Sequence, residues 1–150
     1  MTSPSTYEIA DPMPGPPARR IGPRTVVSSL WLFAILNYAY CDILGLYWSE
    51  DLAALLTGEI HGIRFTQGFL LGAAILMTIP IGAVLVSRIA PHRVARWSSL
   101  AAGIVMTLVQ AASLTVGSEP TLHYIYFSII EITTTATIAW YAATRWRRDT

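Results

Sequence analysis

The sequence predicts an all-α polytopic membrane protein, a bundle of four transmembrane helices behind a disordered N-terminal tail. Three observations carry that prediction. Apolar residues make up 53% of the 150-residue chain and charged residues 13%, about half the charged share of a soluble domain. The apolar residues gather into four blocks, each long enough to cross a bilayer as a helix. Nine of the ten basic residues, all arginine, fall at those ends of the blocks that share one side of the membrane.

The tail comes first. Residues 1–25 hold Pro4, Pro12, Pro14, Pro16, Pro17 and Pro23 among small and polar side chains, a composition that buries too little surface to order itself. It is expected to be a flexible cytoplasmic tail. The transmembrane domain follows over residues 26–146, and residues 147–150 form a cytoplasmic end.

The first block, residues 26–46, is free of charge between Arg24 and Asp42. The second, 65–87, and the third, 97–117, contain no charged residue at all. At 1.5 Å rise per residue each spans a hydrocarbon core of about 30 Å. The fourth, 122–143, is of similar length and carries one acid, Glu131, near its middle. None of the blocks alternates apolar with polar residues as the strands of a membrane barrel do, so helices satisfy the backbone. A cleavable signal peptide is not expected, because the first block exceeds the 7–15 residues typical of such a segment and no small-x-small site follows it. The Arg19-Arg20 pair lacks the context of a twin-arginine export signal.

Orientation follows from the arginines. Arg19, Arg20 and Arg24 precede the first block, Arg88, Arg93 and Arg96 join the second to the third, and Arg145, Arg147 and Arg148 follow the fourth. The positive-inside rule makes that side cytoplasmic. The opposite loops carry Glu50, Asp51, Glu59 and Glu119 with Arg64 as their one arginine. An even number of crossings then leaves both termini inside, in a multi-pass protein of the plasma membrane. Tyr47 and Trp48 outside, and Trp97, Trp140 and Trp146 inside, are placed as interfacial anchors.

The outer loop over residues 49–66 has its own pattern. Ser49 is expected to cap a short helix with Glu50 and Asp51 in its first turn, continued by Leu52, Leu55 and Leu56 and stopped at Gly58. Glu59 and His61 read as solvated loop residues, since two ligands without a third make poor support for a metal site. Within the blocks, Gly68 and Gly72 on one helix, and Ser99, Gly103, Thr107 and Gln110 along a face of the next, predict close helix contacts. Pro80 is tolerated in a spanning helix and implies no gate.

Leu30-Trp31, residues 38–42, residues 55–58, Ile79-Pro80, Arg96-Trp97, residues 127–131 and Trp140-Tyr141, in this order and spacing, resemble a bacterial family of small four-helix membrane proteins known as domain of unknown function 6326. The resemblance covers residues 26–146 and omits the tail. It implies four membrane helices and supplies no activity, cofactor or catalytic residue.

Enzyme signatures are missing. No P-loop, dinucleotide fingerprint, HExxH, nucleophile elbow or cysteine cluster occurs, and His61, His92 and His123 lie far apart at the edges of the blocks. No cofactor, metal or catalytic residue is expected. The arginines form no basic face for nucleic acid, and Cys41 is the single cysteine, so no intrachain disulfide forms. The expected surroundings are the lipid bilayer, with a second copy or another membrane protein as candidate partner. Three function classes stay open. One is binding or transport of a small molecule or proton through a polar pocket. The second is an accessory subunit of a membrane complex, and the third, on analogy alone, is a quinone-type redox protein.

The residues nearest to chemistry are Glu131, Asp42, Asn37, Gln110 and Arg64. On a helical wheel Tyr124, Ser128, Glu131 and Thr135 share one face, a polar stripe that lipid rejects. Glu131 lies about 14 Å into its helix, at a depth matched by Asn37. A pocket of Glu131, Asn37, Asp42 and Gln110 is therefore expected in the outer half of the bundle, with Arg64 as counter-ion to Asp42. The alternative use of these groups is to bond helices together. Reporter fusions test the topology: those within residues 49–59 and after Glu119 are expected to report the outside, and those after Arg93 and at Thr150 the cytoplasm. A cytoplasmic signal from residues 49–59 would overturn the map.

Overall fold

A computed structural model describes residues 21–60, 62–115 and 120–146. The flexible tail expected over residues 1–25 lies outside them up to residue 20, as do His61, Glu119, Arg147 and Arg148. The described chain is helical. It runs α1 (Pro23–Gly45), α2 (Ser49–Leu56), a hairpin of β1 (Glu59–Ile60) and β2 (Ile63–Arg64), α3 (Gln67–Ile89), α4 (His92–Ser113) and α5 (Leu122–Thr144). Three helices, α1, α3 and α4, are long and apolar enough to cross a membrane. The fourth long helix, α5, matches them in length and carries Glu131 and a run of threonines within its span.

Local chemistry sets the boundaries. α1 begins at Pro23, three residues before the predicted start, because proline at the first helical position has its φ preset and no N–H to leave unbonded. α3 starts after Thr66, whose hydroxyl accepts from the Phe69 N–H at 3.2 Å as an N-cap. α4 starts at His92 rather than 97, so Arg93 and Arg96 belong to its first turns and the connection from α3 shrinks to Ala90 and Pro91. It ends at Ser113, earlier than the predicted 117. In the short helix the N-cap is Trp48, not Ser49, and Glu50 and Asp51 occupy the first turn as expected. The hairpin is unanticipated; Gly58 and Gly62 bracket β1 at φ of 80° and 82°, a conformation costly for any other residue.

The four long helices form a closed ring in which α1 packs on α3 and α5, and α4 on α3 and α5. Neighbours run antiparallel. At one end of the bundle the Arg24 guanidinium donates to the Arg88 carbonyl at 3.0 Å, joining the start of α1 to the end of α3. At the same end Arg96 donates to the Ala142 and Ala143 carbonyls at 2.8 and 3.3 Å, capping α5 from the start of α4. Trp146, expected as an interfacial anchor, is instead buried, its ring edge-on to His92 with centroids 5.7 Å apart. Trp97 and Trp140 remain exposed. The core between these ends includes Val27, Trp31, Ala34, Met106 and Ile138.

The predicted small-residue contacts divide. Gly103 lies where α4 meets α5 so closely that a Cβ there would sit 2.9 Å from the Thr135 carbonyl oxygen. Gly68 and Gly72 contact no neighbouring helix: an added Cβ at Gly68 meets only Thr66 of its own cap, and one at Gly72 meets nothing within 4 Å. Backbone cannot swing aside as a side chain can, so Gly103→Ala is expected to destabilise the bundle by about 1–3 kcal/mol through overpacking. Gly72→Ala should be neutral or stabilising, by up to about 1 kcal/mol of helix propensity. Reversible unfolding in detergent measures both, and equal effects would contradict the contact geometry.

Candidate functional site

A row of polar contacts runs away from Gly103 along the α4–α5 seam. The Thr107 and Thr135 hydroxyls meet at 2.8 Å. Further along, the Gln110 side-chain amide donates to the Ser128 hydroxyl at 2.9 Å, and the Tyr124 hydroxyl donates to Ser113 at 2.7 Å. Ser113 in turn donates to the Gln110 carbonyl at 2.7 Å. The spacing explains the row: residues 103, 107 and 110 follow one face of α4, and 128, 131 and 135 follow one face of α5. Ser128, Glu131 and Thr135 are all buried.

Glu131 stands in this row without a place in it. Its side chain is 1% exposed, and its Oε1 has no hydrogen-bond partner. The Tyr38 hydroxyl on α1 is likewise buried and unpartnered. Each such group forgoes about 1–3 kcal/mol relative to a bonded one, so two on one cavity wall call for a physical reason. Both line a cavity of about 190 Å³ at the end of the bundle away from the capping arginines. Its polar wall adds Asp42, Gln110, Ser113 and Tyr124, and its apolar wall includes Leu76, Met77 and Val109. All four long helices contribute. Asp42 is exposed, three residues from the end of α1, whereas Glu131 lies nine residues into α5. The acids therefore sit at different depths, Asp42 towards the opening and Glu131 towards the floor.

Three of the five residues singled out from the sequence, Glu131, Asp42 and Gln110, come together here. Two do not line the cavity. Asn37 is buried, and its amide donates to the Phe33 carbonyl one turn back at 2.8 Å, which satisfies it within α1. Arg64 is not a counter-ion to Asp42; it pairs with Glu59 at 3.3 Å, because the antiparallel hairpin sets these two residues directly opposite one another. Tyr124 lines the wall from the face of α5 that it shares with Glu131, and Tyr38 is the long side chain there that was not anticipated. Tyr38 stands four residues before Asp42 and so shares its helix face, a signal available in the sequence.

Among the described residues no group of three or more histidine, cysteine, aspartate or glutamate side chains is placed to hold a metal ion. The arrangement is a small acidic and phenolic chamber, with hydrogen-bonding capacity on two helices left unused. The family model described as a family of unknown function, DUF6326, matches residues 21–150. No curated protein and no solved structure matches the chain.

Proposed function

We propose, on the premise that this chain belongs to the family of unknown function DUF6326, that it is a four-crossing membrane protein that binds a small polar molecule or a proton in the cavity floored by Glu131. Three crossings draw on the apolar length of α1, α3 and α4. The fourth is α5, whose polar face is turned into the bundle. On insertion scales a charged residue at the middle of a spanning helix costs roughly 2.5–3.5 kcal/mol, so an inward Glu131 is what a crossing α5 requires. The arginine bias then sets both termini in the cytoplasm and the cavity in the outer half of the membrane.

The single observation that carries the binding role is the unpartnered, buried Oε1 of Glu131 on the wall of a cavity. A carboxyl that merely fastened helices together would hydrogen-bond to one, as Gln110 does to Ser128. A second reading, an accessory subunit, draws on Gly68 and Gly72, which leave a small-residue track on α3 with no neighbouring helix against it.

Dicyclohexylcarbodiimide tests the binding role, because it modifies carboxyl groups that carry a proton in an apolar, reachable site. Treatment of membranes is expected to label Glu131, read by mass spectrometry of the peptide that contains it, and Glu131→Gln should abolish that label while keeping the native helix content. A Glu131 that stays unmodified would contradict the reading.

A further inference from the structure

The chemistry of the same cavity points to a ligand class, an inference that rests on the reading just given. Two acids, Asp42 and Glu131, lie on its wall, and none of the described residues lining it is basic. Most of the remaining polar groups on the wall are already used: Gln110 donates to Ser128, Tyr124 to Ser113, and Ser113 to the Gln110 carbonyl. Glu131 and Tyr38, 1% and 7% exposed, keep unpartnered oxygens. A carboxyl oxygen asks for a donor, and a phenolic oxygen accepts as readily as it donates. Two acids without a base ask for positive charge.

We propose that the cavity binds a small protonated amine in exchange for the Glu131 carboxyl proton, its ammonium N–H groups directed to the resulting carboxylate and to the Tyr38 hydroxyl, and its carbon body packed against Leu76, Met77 and Val109. Competing ligands fit less well. An anion meets two acids, and a metal ion finds no cluster of three ligands among the described residues. A quaternary ammonium carries no N–H and leaves Oε1 unpaired. Size narrows the class further. A cavity of about 150 Å³ admits benzene, so this one, at about 190 Å³, takes a ligand of roughly six to ten non-hydrogen atoms. Asp42, exposed above Glu131, supplies a charge that draws a cation towards the opening.

Isothermal titration of the full chain in mild detergent, with benzylammonium and hexylammonium chloride against benzyl alcohol and sodium benzoate, tests the proposal. At least one amine should bind about tenfold tighter than the alcohol, with benzoate silent, since the charge-assisted contact separates them. Glu131→Gln should weaken the amine about tenfold, and Tyr38→Phe, which deletes one oxygen, about threefold. The proposal is overturned if neither amine binds, if the alcohol binds equally well, or if amine affinity survives in a natively helical Glu131→Gln. Should that variant not fold, the ligand series on the unaltered chain and Tyr38→Phe decide. Equal binding of the alcohol removes the ammonium contact but keeps the small-molecule reading, which falls instead if carbodiimide leaves Glu131 unmodified.

Discussion

The close approach of α4 to α5 at Gly103 is the contact on which the rest of the bundle depends. With no Cβ at this position, the α4 backbone comes near enough to α5 for the Thr107 and Thr135 hydroxyls to meet, and the two helices stay in register through Gln110–Ser128 and Ser113–Tyr124. Small residues at a helix interface bring polar groups within bonding distance where apolar attraction between helices is weak. At the other end of the seam, Arg96 caps the last carbonyls of α5 and Trp146 fills the space beside His92. The seam is therefore fastened at both ends and along its length.

That register decides where Glu131 goes. It follows Ser128 and precedes Thr135 on the face of α5 that the seam turns inward, so packing delivers the carboxyl to the interior. It finds no partner on α4, where Gln110 is already committed to Ser128. The carboxyl faces the space between α1, α3 and α4, and a cavity rather than a side chain meets it. In the four-crossing reading the same face of α5 is the one that lipid would reject, so stability and site formation make the same demand on the helix. The function proposed for the cavity grows out of that coincidence.

Much of this was legible in the sequence, and the exceptions have physical causes. The predicted block 122–143 matches α5 to within a residue at either end, its apolar run lying between Glu119 and Arg145. α4 was placed too late because a charge-free window excludes Arg93 and Arg96, whose long side chains let a helix carry charge in its first turns. The inward position of Glu131 could be read from the polar stripe through Ser128 and Thr135. The hairpin was invisible because strands of two residues have no period to detect, and with it went the Arg64–Glu59 pairing. Asn37 looked free because nothing in a sequence shows whether an amide will bond back to its own helix. The small-residue rule met a neighbouring helix at Gly103 and none within the bundle at Gly72, since it records an ability to pack closely and not which neighbour arrives.

The central claim is that α5 presents Glu131 to a cavity reachable from outside while, in the four-crossing reading, its opposite face meets lipid. Cysteine accessibility in intact membranes tests it most directly, in a Cys41→Ser background with a small water-soluble thiol reagent added outside. Glu131→Cys is expected to react, and Ile129→Cys, at a position 61% exposed on the outer face of the bundle, to stay unreactive in lipid. A reactive Ile129→Cys beside an inert Glu131→Cys would contradict the account.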